Sequence, residues 1–335
     1  MKKGLFDELV ALRPHELGFD VPLDVMSRWK VGGSAAALVS ADRVDHLEAL
    51  IEMARRYATP LSVIGDTANL LFDSRGFNGV LVRLVGDLAK IEIRGRDRLV
   101  VGAGCRVSRL AEHAARSGLS GIEHITGIPG TVGGLVAMNG GSQRKGIGSS
   151  VVHVDTITAT GQQVRVSQKE AEFGYRSSVF QSDGSIIVGA ELRLQPGDSK
   201  ELVQRMSEII KSRELRFPVE QANCGSTFLS DPAMYEIVGP PGRAIEASGL
   251  KGVRRGGAEI SNQHANFINN LGGATSDDIL WLIGMIKSRV KERTGFDLRC
   301  EVRHVGADGV IRPADVSAYE VWPTKSTSEM GSRDE

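Results

Sequence analysis

Five places in this sequence combine residue types that can do chemistry. The first is IGDTANLLF, residues 64–72, which reads as a strand ending in a glycine turn. Backbone N–H groups in such a turn point outward and can bind phosphate oxygens, and Asn69 can fix the loop through its own backbone. The same letters also describe an ordinary strand-to-loop turn. The second is GIPGTVGG, residues 127–134, followed by AMNGG. Pro129 interrupts the dinucleotide GxGxxG pattern, and no GK[ST] follows as in a Walker loop. The stretch therefore reads as a backbone held close to a flat or charged cofactor, or as a glycine-rich connector. The third is GYRSSVF, where Arg176 beside Tyr175 can grip a carboxylate bidentately or simply lie in solvent. The fourth is Ser226 in NCGSTF, which lacks the GxSxG elbow of a hydrolase and reads as a turn residue. The fifth is Glu301, expected to share a strand face with Arg299 and Arg303 by period-two alternation, as in a surface ion-pair row.

The elements that must carry these residues are legible from periodicity and punctuation. Gly4–Leu12 forms a short helix stopped by Pro14. A helix follows Asp42, with Val44, Leu47, Ile51, Ala54 and Tyr57 near the 3.6 period. Leu61–Ile64, Val80–Leu84 and Leu99–Val101 read as short strands, and Ser108–Ser117 as a helix ended by Gly118. Residues 122–148 break the pattern with a run of glycines, and such an irregular stretch is uncommon unless functional. Val151–Ala159 and Ile186–Leu194 are strands, and Ser199–Arg213 is a helix after the Pro196-Gly197-Asp198 break. The clearest helix starts at Thr275 or Ser276, has Asp277 and Asp278 at its N-terminus, and ends before Gly295. A strand is expected over Leu298–Val305, and 307–335 reads as a disordered tail. Strands alternating with helices place the chain in the α/β or α+β class.

Composition bounds the rest. The chain has 335 residues, enough for two or three domains. Lys+Arg and Asp+Glu both number 41, so no net field favours nucleic acid or an anionic membrane. There are 40 glycines, roughly 12% against a usual ~7%, which implies many close backbone approaches and suits a nucleotide cofactor. Cys105, Cys224 and Cys300 form no CxxC, arguing against a disulfide framework or a cysteine zinc site. The seven histidines make no HxxxH or HExxH spacing, so no metal is expected; His264, in NQHANF, has the one suggestive context. Asp7 and Glu8 interrupt the N-terminus before an apolar stretch forms, and no run of 18 apolar residues occurs. A cytoplasmic protein, without membrane or nucleic-acid partners and monomeric, is expected.

The order and spacing of the motifs carry more than each alone. VGG (31–33), IGDTANLL (64–71), VGAG (101–104), GIPGTVGGLVAMNGG (127–141), YRSSVF (175–180), NCGSTF (223–228), GLKGVRRGGAEISNQHANFI (249–268) and CEVRHVG (300–306) resemble the UDP-N-acetylenolpyruvoylglucosamine reductase family. These are FAD- and NADPH-dependent enzymes of peptidoglycan precursor synthesis. The resemblance spans about residues 20–306 and is to the shorter of the family's two types. It implies an α+β fold: an FAD-binding domain of the vanillyl-alcohol-oxidase (PCMH) type, with subdomains at 1–85 and 86–198, then a smaller α+β substrate-binding domain at 199–306. It implies noncovalent FAD held by Gly65, Asp66, Thr67, Ala68, Asn69 and Leu70, by Gly127, Ile128, Pro129, Gly130, Thr131, Gly133 and Gly134, and by Asn139 and Gly140. Neither glycine loop contains a histidine for covalent attachment.

The resemblance also implies that Arg176, Ser226 and Glu301 are catalytic, and that NADPH is the hydride donor. The substrate is then an enolpyruvyl UDP-sugar, with Tyr175, Arg254 and His264 as candidate contacts. The chain departs from the family pattern in three places. Asp66-Thr67-Ala68-Asn69 replaces the second glycine and serine of GxGSN. Gln143 stands where a tyrosine is expected, and Phe228-Leu229-Ser230-Asp231-Pro232 lacks the lysine and asparagine of FKNP. The flavin residues and catalytic trio are thus kept, while the sugar-nucleotide contacts are altered, with Lys251, Arg254 and Arg255 as candidate replacements. The rival readings are a paralogue acting on another enolpyruvyl or enoyl substrate, and a non-catalytic FAD-binding protein.

Overall fold

The computed structural model describes residues 2–218 and 220–322. They form two compact units, each with its own apolar core. The first comprises residues 2–22, 34–68 and 77–217, and the second 23–33, 69–76, 218 and 220–322. The second unit is therefore built partly from two short excursions out of the N-terminal half.

The first unit contains two sheets. One has four strands in the order Glu16–Pro22, Ser34–Ala41, Phe77–Leu84, Leu61–Val63. Its first pair is antiparallel, and its other two pairs are parallel. Helix Val44–Tyr57 connects the second of these strands to the fourth and buries His46, Leu47, Leu50, Ile51 and Met53, a stripe set by the 3.6 period. The other sheet has five antiparallel strands in the order Gln163–Ser167, Val151–Ile157, Ile186–Arg193, Arg98–Gly102, Ile91–Arg94. Helix Val107–Arg116 buries Val107, Leu110, Ala111, Ala114 and Ala115, and helix Ser199–Arg216 packs beside it.

That last helix corrects the expected boundary at 199. Asp198 caps it, accepting from the N–H groups of Lys200 and Glu201 at 2.9 and 3.0 Å, Leu202 is buried, and Met206 packs against the core of the first unit. The division falls after Phe217 instead. The Pro-Gly-Asp break that looked like a domain border is a helix start within one unit.

The second unit holds two three-stranded sheets. In one, Ala258–Ile260 pairs with Arg254–Arg255 and Ile268–Asn270, both antiparallel. In the other, Arg303–Val305 lies between Ile311–Pro313, antiparallel, and Leu70–Phe72, parallel. Helix Ser276–Thr294 begins with a capping box. Thr275 Oγ1 accepts from the Asp278 N–H at 3.1 Å, while Asp278 Oδ2 accepts from the Thr275 N–H at 2.9 Å. Ile279, Leu282, Ile283, Ile286 and Val290 are buried, and Gly295 ends the helix at φ 78°. Trp29 is fully buried, with Nε1 donating to the Ile268 carbonyl at 2.7 Å.

Three expectations change here. The supposed tail carries strand Ile311–Pro313 and helix Ala314–Val321, whose Ala314 and Ala318 enter the second core. Their pattern is too short to show a period. The rest of that expectation, residues 323–335, lies outside the described residues. Regular strand begins only at Arg303, because residues 301–302 bend. Within the glycine-rich stretch, Val132–Ala137 is helical, with Val132, Leu135 and Val136 buried despite Gly133 and Gly134.

Candidate active site

The two glycine loops meet in the first unit. A Cβ added at Gly65 would lie 2.4 Å from Thr131 Oγ1, so only glycine permits this approach. Thr67 is buried at φ 53°, a left-handed conformation that a threonine keeps only when its surroundings impose it. Gly130 sits at φ +135°, and a side chain there would point into open space. The N–H groups of Gly65, Ala68, Gly127, Gly130, Thr131 and Gly134 reach no acceptor among the described residues. Those of Ile128, Gly133 and Gly140 are taken by the carbonyls of Ile125, Ala103 and Leu135. Gly133 and Gly140 therefore shape the loop rather than offer main-chain donors. Just before it, Thr126 Oγ1 is buried without a partner among the described residues. This concentration of amide donors, with a cradle that a Cβ would fill, fits a dinucleotide diphosphate. Asn69 and Leu70, assigned to the same loop in sequence, belong to the second unit.

Arg213, on helix Ser199–Arg216, adds positive charge to this neighbourhood. Its Cδ and Nε lie 2.8 and 2.9 Å from where a Gly127 Cβ would be, and its guanidinium stacks over Phe217 at 5.1 Å. Burial, and then repulsion from Arg216 and Arg176, pushes its pKa down, as expected of cations gathered to receive an anion.

Arg176 occupies a tight turn in which Gly174 and Ser177 exchange main-chain hydrogen bonds at 3.0 and 3.3 Å. It is half-buried at φ 52°. Two amide side chains hold the turn. Asn139, itself at φ 41°, donates from Nδ2 to the Gly174 carbonyl at 2.7 Å and accepts the Gly148 N–H on Oδ1 at 2.9 Å. Gln181 donates from Nε2 to the carbonyls of Arg176 at 2.9 Å and Ala137 at 3.0 Å. The Asn139 side chain, expected to hold cofactor, thus braces the arginine turn. Gln181 was missed in the sequence, although it directly follows YRSSVF. Tyr175 is mostly exposed, with the Arg176 guanidinium 5.9 Å from its ring centre.

Ser226 and Glu301 lie on neighbouring segments of the second unit. Phe228 and Cys300 form an antiparallel bridge. The Glu301 N–H donates to the Thr227 carbonyl, and the Leu229 N–H to that of Arg299, both at 2.9 Å. Before Ser226, Asn223 Oδ1 takes the Gly225 N–H at 2.9 Å, and Asn223 Nδ2 reaches the Gln221 carbonyl at 2.8 Å. Ser226 is half-buried, and its hydroxyl has no partner among the described residues. Arg176 lies in the first unit, apart in the chain from these two.

The remaining candidates have local partners. Arg254 donates to the buried carboxylate of Glu259 at 2.6 Å. Arg255 lies over the Trp281 ring and 3.9 Å from Asp278, and Lys251 pairs with Glu246 at 2.8 Å. His264 Nδ1 accepts the Asn266 N–H at 3.3 Å, and its ring packs edge-on against Phe267. Burial lowers its pKa, keeping it neutral near pH 7. Among the described residues no group of three His, Cys, Asp or Glu could hold a metal ion, and no helix is long and apolar enough to cross a membrane.

Comparison with known proteins bears on the same two regions. The FAD binding domain family matches residues 35–167, and the UDP-N-acetylenolpyruvoylglucosamine reductase C-terminal domain family matches 217–305. A Corynebacterium glutamicum protein named UDP-N-acetylenolpyruvoylglucosamine reductase 1 is 47% identical over 304 residues, covering 91% of this chain and 90% of its own length. A Rubrobacter xylanophilus UDP-N-acetylenolpyruvoylglucosamine reductase is 39% identical, covering 86% and 95%. The crystal structure of the Thermus caldophilus reductase superimposes with a TM-score of 0.72 at 31% identity, over 86% of this chain and 98% of that one.

Proposed function

This chain belongs to the UDP-N-acetylenolpyruvoylglucosamine reductase family, and from that premise we propose how its own residues carry the reaction. It is an FAD-containing oxidoreductase that reduces the enolpyruvyl group of UDP-N-acetylglucosamine enolpyruvate to give UDP-N-acetylmuramate, a peptidoglycan precursor. The observation that carries this reading is the meeting of two amide-rich glycine loops at Gly65 and Thr131, within an FAD-binding domain of the vanillyl-alcohol-oxidase type. FAD, bound noncovalently, supplies the hydride carrier between NADPH and the vinyl carbon.

The protein's share is binding, orientation and charge. Loops 65–68 and 127–134 hold the cofactor through main-chain amides. Hydride addition to the enol ether leaves negative charge on the carbon beside the carboxylate, delocalised as an aci-carboxylate. Arg176, held in its strained turn, balances that charge without reorganising. Glu301, when protonated, donates a hydrogen bond to the same group. Ser226 Oγ delivers the proton to carbon. A serine is a poor acid in water and serves here only because the intermediate is strongly basic and the serine backbone is fixed by the Asn223 turn and the Phe228–Cys300 bridge. Tyr175, Arg254 and His264 stand as candidate substrate contacts, although the hydrogen bonds of Arg254 and His264 fit scaffolding of their own loops. The protein works in the cytoplasm, as a monomer.

The test is an anaerobic two-step titration. The purified yellow protein is reduced with NADPH, and the enolpyruvyl UDP-sugar is then added. Rapid return of the oxidised flavin spectrum is expected. A normal first step followed by slow reoxidation would instead favour another enolpyruvyl or enoyl substrate.

A further inference from the structure

The match to the reductase C-terminal domain ends at residue 305, yet the second unit continues with strand Ile311–Pro313 and helix Ala314–Val321. This segment grips the residues on both sides of Glu301. Asp315 Oδ1 accepts the Cys300 N–H at 3.3 Å, and the Ala314 N–H donates to the Val302 carbonyl at 2.9 Å. Further on, His304 Nδ1 and Ser317 Oγ lie 2.9 Å apart. Between the two grips, the Glu301 N–H turns the other way, to the Thr227 carbonyl.

We infer that the strand–helix segment Ile311–Val321 is a clamp that fixes Glu301 in register with the Ser226 segment for the second half-reaction, with Asp315 as its positioning residue. The inference rests on the role given to Glu301 above.

Asp315 is also half of a largely buried ion pair. Its Oδ2 lies 3.0 Å from Nζ of Lys287, a buried lysine that also reaches Asp297 Oδ1 at 3.0 Å and the Leu298 carbonyl. Burial opposes the lysine's charge, and the hydrogen bonds and charges of Asp297 and Asp315 outweigh it, so its pKa is raised. Apolar side chains in place of a buried ion pair are commonly as stable or more so. What an apolar residue cannot do is accept the amide next to Glu301.

The experiment compares Asp315→Asn and the double variant Lys287→Met/Asp315→Leu with wild type, each as FAD-loaded full-length protein. Three quantities are read: melting temperature, amide hydrogen exchange across 299–304, and the two half-reaction rates by anaerobic stopped flow. The double variant is expected to fold and melt cooperatively, somewhat below wild type, because the Cys300 N–H and the Leu298 carbonyl lose their partners. It is reduced by NADPH within about twofold of wild type, exchanges 299–304 about tenfold faster, and is reoxidised by the enolpyruvyl UDP-sugar at least about tenfold more slowly. A merely structural role predicts that both half-reactions slow alike, because a general loosening does not single out the step that uses Glu301. Unchanged exchange, or wild-type reoxidation in the double variant, overturns the clamp. If Asp315→Asn fails to fold, the double variant decides. A wild-type protein that NADPH reduces but the UDP-sugar does not reoxidise sinks the substrate reading alone, and the exchange comparison still decides whether Asp315 holds the segment.

Discussion

The main-chain amide of Glu301 donates to the carbonyl of Thr227 at 2.9 Å, so the proposed hydrogen-bond donor of the reaction is tied through one peptide to Ser226, its proposed proton source. Thr227 is fully buried. Two short segments about seventy-five positions apart in sequence thereby share one frame. A proton delivered by so weak an acid as serine needs a fixed position, and a peptide-to-peptide hydrogen bond is stiffer than contact between long side chains.

Ser226→Ala tests that frame chemically. Flavin content and NADPH oxidation should stay near wild type, because neither needs a proton on carbon. Reoxidation by the UDP-sugar should slow by about 10²–10⁴-fold, the usual worth of a positioned acid. Loss of the NADPH step with an intact substrate step would reverse the assignment of roles.

Gly65→Val should open the contact with Thr131, since even a Cβ would sit 2.4 Å from Thr131 Oγ1. The variant should purify with less flavin and bind added FAD more weakly, read from flavin absorbance and quenching on titration. Wild-type flavin should be released intact by acid or heat, as expected for noncovalent binding. Stoichiometric, equally tight FAD in the variant would exclude this contact from the cofactor cradle.

Gln181→Leu removes two hydrogen bonds that hold the Arg176 turn. At about 0.5–1.5 kcal/mol each, the stability loss should be about 1–3 kcal/mol. Reoxidation by the UDP-sugar should slow by about tenfold or more, because an arginine at φ 52° relaxes once its carbonyl is released. Stopped-flow rates and a denaturant melt measure the two effects. A loss of stability with no change in rate would leave Gln181 purely structural.

Leu229→Lys should strengthen binding of the UDP-sugar. By its resemblance to the family's FKNP motif Leu229 stands where a lysine is expected, and a charge-assisted hydrogen bond to a diphosphate is worth about 1.5–3 kcal/mol, or roughly ten- to a hundredfold in affinity. Arg254→Ala should change affinity little, because that guanidinium is committed to Glu259 at 2.6 Å. Titration of the oxidised flavin spectrum with the product reads both. A large loss of affinity in Arg254→Ala would make that arginine a phosphate ligand after all.

Acid should destabilise the fold well above the carboxylate range. Burial lowers the pKa of His124, His264 and His304. For His304 the charges of Asp73 and Asp308 oppose that shift, while Arg312 and Arg75 add to it. These residues stay neutral when folded but take up a proton near pH 6.5 when unfolded. The stability they contribute is therefore present above about pH 6.5 and is lost as pH falls below it, by up to about 1.4 kcal/mol per pH unit for each histidine. Melting temperatures between pH 7.5 and 5.5 should fall, and more gently in His304→Asn. A flat profile would mean that these rings are already charged in the folded state.

Much of this protein was legible in its sequence. Periodicity set the helices over 44–57 and 276–294, and the spacing of glycine, arginine, serine and glutamate motifs pointed to the family and its flavin. Those features are local, governed by the 3.6 repeat, by caps such as Thr275 with Asp278, and by residues few enough to read as motifs. What the sequence could not supply was the partner of each local feature. Nothing at residue 65 announces Thr131, nothing at 139 says that its amide will serve the turn at 174, and nothing in the weakly patterned stretch after 306 announces a helix carrying Asp315. Helix Ser199–Arg216 reads as the start of a new domain because its own pattern cannot say which core receives Met206. Side-chain chemistry is written residue by residue, but the close approaches that give it direction depend on packing between segments distant in the chain, and only the tertiary structure decides those.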